Sequence, residues 1–139
     1  MDKQYEILDH PADLKIRSSA ESLPGVFVNL AKAIGQQQFK LEGQKAKEGD
    51  AEEIVIEADD LESFLVSWLS EILYRSEAKK KVYTDFEITE FSQNPFKIAA
   101  KINGVPVSRK MIDIKGVTFH DLQIKKIGDG WEGIVLFDI

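Results

Sequence analysis

The chain has no cysteine and little histidine. Of its 139 residues, none is cysteine and two are histidine. Disulfides, thiolate zinc sites and cysteine nucleophiles are therefore excluded, and the composition agrees with a reducing cytoplasm. The first twenty residues lack the basic start and apolar run of a signal peptide, and no apolar run reaches membrane-spanning length. We therefore expect a cytoplasmic protein without a membrane anchor.

Positive charge is also scarce. Lysine and arginine number 18 against 24 acidic residues, which gives a net charge of −6. A protein that binds nucleic acid through its overall field is expected to be basic, so strong direct nucleic-acid binding is disfavoured. A protein partner or a metal ion suits this charge better. The length predicts one domain, residues 1–139, with a sizeable core.

Apolar periodicity predicts an α+β fold with two helices packed on a largely antiparallel sheet. The clearest helical pattern starts after Asp59, which together with Glu62 is a candidate capping pair. Asn103-Gly104 is a strong hairpin-turn signal, and hairpins imply antiparallel neighbours. The predicted order is strands at 5–10 and 14–18, a helix at 22–38, a strand at 52–58, a helix at 59–81, then strands at 82–88, 96–103, 115–124 and 133–139.

The terminal stretch is apolar on both faces, which predicts a strand in the interior of a sheet. It also carries two adjacent carboxylates, the Asp138 side chain and the α-carboxylate of Ile139. Anions on an apolar strand repel each other and resist desolvation unless a cation or hydrogen-bond donors meet them. One interpretation is therefore half of a cation site. The other is a strand end whose carboxylates remain in water.

Asp13 is the candidate for the other half of that site. Together with Asp138 and the carboxylate of Ile139 it would supply three hard oxygen donors, which suit Ca²⁺, Mg²⁺ or Mn²⁺. Its ordinary role would be to stabilise the turn that follows Pro11. Sequence alone leaves both roles open.

The two histidines, His10 and His120, each lie in a short polar cluster. A catalytic dyad could be built from them. However, neither has metal-ligand spacing, and the chain has no Gly-x-Ser-x-Gly or phosphate-binding glycine loop. A structural hydrogen bond is the alternative role for each.

Four segments in this order resemble the archease family. They are His10-Pro-Ala-Asp13 after Tyr5-Glu6, the helix Leu61 to Tyr74, Lys115-Gly-Val-Thr-Phe-His120 and the terminal Phe137-Asp138-Ile139. The family patterns are His-Thr-Ala-Asp and Lys-Ala-Val-Thr-Tyr-His. Pro11, Gly116 and Phe119 therefore depart from them, and Pro11 and Phe119 lack the hydroxyl of the family residue.

The resemblance implies a small activator protein that is not itself an enzyme. Archeases act on RtcB-type RNA ligases in tRNA splicing and RNA repair, where they promote guanylylation of the ligase and its repeated turnover. The family's metal site, often seen with calcium, maps here to Asp13, Asp138 and Ile139. The other polar residues of the matching motifs are His10, Lys115 and His120.

Two other function classes are considered beside the activator. The first is a small hydrolase that depends on a divalent metal, with Asp13 and Asp138 as ligands and His120 or His10 as base. The second is a chaperone-like binding module that uses no metal.

Overall fold

The structure is a computed structural model that describes residues 4–8, 13–107 and 109–139. Its helices are α1 (Leu23–Gln38) and α2 (Leu61–Lys79). Its strands are β1 (Tyr5–Leu8), β2 (Asp13–Ala20), β3 (Glu52–Ala58), β4 (Lys81–Gln93), β5 (Phe96–Pro106), β6 (Gly116–Ile127) and β7 (Gly130–Asp138). The predicted extension of β1 to residue 10 lies outside the described residues.

The strands form two antiparallel sheets, in the orders β1-β2-β7-β6 and β3-β5-β4. The predicted α+β class and antiparallel pairing are thus confirmed, with the strands divided between two sheets. The terminal strand β7 lies between β2 and β6, as its two apolar faces predicted. Val135, Leu136 and Phe137 are at most 2% exposed.

Side-chain caps fix where the two helices begin. Ser22 Oγ accepts a hydrogen bond from the Gly25 N–H (3.2 Å) at the start of α1. The cap of α2 is Asp60, whose Oδ1 accepts from the Ser63 N–H at 2.8 Å. The prediction of Asp59 as cap was wrong by one residue, because Asp60 has the extended conformation that aims a carboxylate at the first turn. No helix in the described part of the chain is long and apolar enough to cross a membrane.

Both helices contact strands of both sheets, so one apolar core joins the layers. Trp68 of α2 is completely buried at its centre. Its indole N–H donates to the carbonyl of Phe27 in α1 at 2.9 Å. Phe27 also packs against Phe64, with ring centroids 4.9 Å apart. Aromatic packing together with a satisfied indole N–H therefore fixes the two helices against each other.

Asn103-Gly104 is not a turn, and that prediction was wrong. Both residues lie inside β5, which continues to Pro106. A Cβ added to Gly104 would lie 2.0 Å from the carbonyl oxygen of Val82, so glycine is required where β4 passes closely. Asn103 Nδ2 donates to the carbonyl of Lys47 at 2.8 Å. The pair therefore serves strand packing and loop attachment rather than chain reversal.

A charge network around Glu52 ties β3 to the end of α2. The Glu52 side chain is 15% exposed and accepts hydrogen bonds from Lys79 Nζ (2.5 Å) and the Tyr83 hydroxyl (2.7 Å). Lys81 Nζ also lies 3.3 Å from this carboxylate. Burial raises the pKa of Glu52, but the hydrogen bonds from Lys79, Tyr83 and Lys81 outweigh it, so the pKa is below its ordinary value. Burial and the bond to Glu52 raise the pKa of Tyr83.

Candidate metal site at the strand ends

The register of β2 and β7 places Asp13 directly opposite Asp138. Asp13 is the first residue of β2 and Asp138 the last residue of β7. Cβ atoms of directly facing residues in an antiparallel pair lie about 4.5–5.5 Å apart and on the same side of the sheet. Two carboxylates from opposite ends of the sequence are therefore neighbours. Asp13 is itself part of a strand, and the turn of its alternative role lies outside the described residues.

The start of β6 pairs with Asp138 on the side opposite to β2. Gly116 is its register partner on β6, and the Lys115 N–H donates to the Asp138 carbonyl at 2.7 Å. A Cβ added at Gly116 would lie 3.9 Å from Asp138 Oδ2, an ordinary contact distance. The alanine of the family pattern would therefore fit here. Neither glycine nor alanine has a side-chain oxygen, so this departure removes no metal ligand. The Asp138 backbone is thus fixed from both neighbouring strands.

The third predicted donor, the α-carboxylate of Ile139, follows Asp138 directly. Ile139 is 48% exposed, and Asp138 is exposed as well. The expectation that burial of these anions demands a cation is therefore not met, because water reaches both. In the described ranges, no three Asp, Glu or His side chains lie close enough to hold a metal ion. A site here would therefore consist of two side chains and the main-chain carboxylate.

This donor set fits a hard divalent cation. All of its atoms are carboxylate oxygens, which suit Ca²⁺, Mg²⁺ and Mn²⁺ and suit zinc or copper poorly. Exposure at the strand ends leaves room for the waters that would complete the coordination shell. The arrangement can therefore present a cation at the protein surface.

The two histidines and Lys115 differ in where they lie relative to the carboxylates. His10 lies outside the described residues. The His120 side chain is 70% exposed and 3.5 Å from the Asp121 carboxylate. His120 lies between Thr118 and Gln123, where the pairing of β6 with β7 is interrupted, so the strand register does not place it opposite Asp138. Lys115 is exposed and adjoins the site through its backbone.

Phe119, the second departure with a missing hydroxyl, lies in an irregular part of β6. Pairing with β7 is interrupted between Thr118 and Gln123, and Asp121 has a positive φ of 56°. The Phe119 ring is 57% exposed. A hydroxyl at this position would therefore be accessible to solvent.

Gln38 is a supporting residue that the sequence did not indicate. It is 1% exposed at the end of α1, and its Oε1 accepts from the Ile114 N–H at 3.1 Å. Its carbonyl accepts from the Met111 N–H at 2.6 Å. The segment held in this way leads directly into Lys115 and β6. A glutamine at a helix end resembles a surface residue, so only the tertiary contacts reveal this role.

Charged contacts secure the same segment against α2. Lys110 Nζ contacts the Glu77 carboxylate and lies 2.9 Å from Asp113 Oδ1. The hydrogen bond from Lys110 holds the pKa of Asp113 below its ordinary value. The approach to β6 is therefore positioned from both helices.

Comparison with known proteins agrees with this architecture. The model of the archease protein family matches residues 5–139. Archease from Methanosarcina barkeri is 36% identical over 99% of this chain and 97% of its own length. Archease from Pyrococcus abyssi is 31% identical over 99% of both chains.

Two solved structures share the fold. The solution structure of protein 1598 of Methanobacterium thermoautotrophicum has a TM-score of 0.85 at 22% identity, covering 99% of this chain and all of that one. The crystal structure from Thermotoga maritima of an archease, described as a possible chaperone, has a TM-score of 0.66 at 16% identity and covers 95% and 94%. The match to the family model and to curated relatives over nearly the whole chain shows that this chain belongs to the archease family.

Proposed function

We propose that this chain activates an RtcB-type RNA ligase. It does so with a divalent cation bound by Asp13, Asp138 and the Ile139 carboxylate, and Ca²⁺ is the preferred candidate for that cation. The observation that carries the proposal is the direct opposition of Asp13 and Asp138 beside the terminal carboxylate. Membership of the archease family supports the choice of partner. The chain's role is that of a cofactor protein and not of an enzyme.

The roles of the residues follow from their positions. Asp13 and Asp138 supply side-chain oxygens from adjacent strands, and Ile139 supplies the chain terminus. Backbone pairing to β2 and β6 holds Asp138 in place. Binding of a cation therefore loses less conformational entropy at this residue. A bound divalent cation would offset negative charge on a phosphate or help to place the ligase's own metals during transfer of GMP.

Docking on the ligase is proposed to use the negative charge of the chain. A net charge of −6 favours approach to the basic groove expected of an enzyme that handles RNA. Such steering weakens as salt is added, since the Debye length falls from about 10 Å at 0.1 M to 3 Å at 1 M. Stimulation of the ligase should therefore decrease with ionic strength.

The test is ligase turnover with and without the protein. A cognate RtcB-type ligase limited to a single turnover should turn over repeatedly when the wild-type chain is added with Ca²⁺. Asp138→Ala should fail to restore turnover. Asp129→Ala is the matched control, because it removes the same charge from the turn at the other end of β7. No stimulation by the wild type would reject the activator role.

The same assay separates the proposal from a metal-independent binding module. The description of the Thermotoga maritima relative as a possible chaperone favours that second candidate. Stimulation that survives chelation and the Asp138→Ala change would support the binding module and reject the cation site. Stimulation that needs both the cation and Asp138 would support the proposal.

A further inference from the structure

A cleft of about 810 Å³ lies away from the carboxylates, between the segment that follows α1 and the segment that follows β5. Phe39 and Val107 line it and pack with Val82 and Val105 in a small second core. Its volume is within the range of sites that hold small molecules, about 300–1,000 Å³. The floor of the cleft is therefore apolar and fixed by packing.

Two cations that line this cleft have no anionic partner among the residues that the structure describes. The chain has three arginines, and Arg17 and Arg75 each pair with glutamate. Within the described ranges, Arg109 forms no ion pair or side-chain hydrogen bond, and neither does Lys40. A planar guanidinium matches the oxygens of a phosphate or carboxylate in a two-bond contact. In a chain of net charge −6, this local excess of positive charge favours an anionic ligand.

The other charged groups of the lining leave that excess in place. Lys110 is already engaged by Glu77 and Asp113, so it contributes little free charge. Glu42 is the acidic residue of the lining, and it is exposed. The lining itself thus carries three cations and one anion.

Met111 adds an apolar contact on the wall of the cleft. It is 56% exposed although it is large and apolar. A thioether is flexible and contacts aromatic rings favourably. The wall therefore offers a surface for a flat ring next to the cations.

We propose that this cleft binds an organic phosphate whose phosphate group meets Arg109 and Lys40 and whose aromatic ring packs against Met111. A phosphate monoester carries nearly two negative charges at neutral pH, which matches the charges of Arg109 and Lys40 better than one carboxylate does. A mononucleotide has both parts. The inference does not rest on the proposed cation site.

The chain offers a direct probe of this binding. It has two methionines, Met1 and Met111, so methyl labelling of methionine gives two resonances that Met111→Leu assigns. Adenosine monophosphate (AMP) should shift the Met111 methyl resonance in a saturable titration. Inorganic phosphate, which lacks the ring, should bind at least about tenfold more weakly.

Variants at the cations complete the test. Arg109→Ala should weaken AMP binding about tenfold or more. Arg109→Lys should have an intermediate effect, because it keeps the positive charge but cannot donate two parallel hydrogen bonds to the phosphate. Both replace an exposed side chain that forms no hydrogen bond with the described residues, so folding should be retained. Lys126→Ala is the control, since the exposed Lys126 pairs with Trp131 in the four-stranded sheet and does not line the cleft.

Three outcomes would overturn the proposal. The first is a Met111 methyl resonance that AMP does not move. The second is an affinity that Arg109→Ala leaves unchanged or that Lys126→Ala lowers equally. The third is inorganic phosphate binding as tightly as AMP, which would remove the ring contact.

Discussion

The proposed cation site predicts that replacing Asp138 by asparagine removes most of the stabilisation that bound Ca²⁺ would give to the folded chain. The substitution keeps the size of the side chain and its strand position, and it removes one negative charge opposite Asp13. Because Asp138 is exposed, its interaction with a cation is set by a dielectric close to that of water. The metal-free variant should fold as the wild type does, since no hydrogen bond to the Asp138 side chain is present among the described residues.

The size of the effect follows from charge and distance. Two unit charges 4 Å apart interact by about 1 kcal/mol in water, so a divalent ion and one carboxylate interact by about 2 kcal/mol. That corresponds to about a 30-fold weaker Kd. At a Ca²⁺ concentration about 100 times the wild-type Kd, the wild type gains about 2.7 kcal/mol and the variant about 0.9 kcal/mol. At about 3 °C per kcal/mol for a domain of this size, the two Ca²⁺-induced Tm shifts should differ by about 5 °C.

The assay is thermal unfolding with and without Ca²⁺, at low and constant ionic strength. Asp129→Asn is the matched control, because it removes an equal charge from an exposed turn at the opposite end of β7. Its Ca²⁺-induced Tm shift should equal that of the wild type. Equal shifts in wild type and Asp138→Asn, or an equal loss in Asp129→Asn, would refute the site.

Three further predictions concern the terminus, the half-buried Glu52 and the buried Gln38. Extension of the chain by two residues turns the Ile139 carboxylate into an amide and should weaken Ca²⁺ binding by calorimetry, whereas an unchanged Kd would exclude it as a ligand. Glu52→Gln should cost about 1.5–3 kcal/mol in urea unfolding at pH 7. Because the folded-state pKa of Glu52 is lowered, this stabilisation is present above pH 4.5 and is lost as pH falls through the lower folded value, so a difference of the same size at pH 3 would contradict the reasoning. Gln38→Ala leaves the Ile114 N–H without its acceptor and should cost about 1–3 kcal/mol, with faster amide exchange at Ile114; unchanged exchange there would argue against the contact.

Local sequence patterns predicted the helices well, because capping and apolar spacing act within a few residues. The spacing that begins at Leu61 matches the buried face of α2, including Trp68. The apolar terminal stretch likewise predicted an interior strand. Its pairing on both sides with β2 and β6 is the reason that both of its faces had to be apolar.

Non-local contacts account for what the sequence did not predict. The glycine of Asn103-Gly104 is needed because Val82, more than twenty residues earlier, passes within 2.0 Å of where a Cβ would lie. Nothing local distinguishes this requirement from that of a turn. Gln38 gave no signal for the same reason, since its partner Ile114 is 76 residues away. The division of the strands into two sheets is also set by long-range pairing, which turn signals do not encode.

The candidate cation site depends both on residue types that the sequence shows and on non-local contacts that it does not. The residue types at Asp13 and Asp138 are visible in the sequence, but their proximity depends on β7 inserting between β2 and β6. The two aspartates cannot meet before β2, near the start of the chain, pairs with β7 at its end. A ligand that binds only the folded arrangement stabilises it by mass action. Under the proposed site, cation affinity should therefore report β2–β7 pairing, and substitutions that weaken this pairing far from Asp138 should lower that affinity as well.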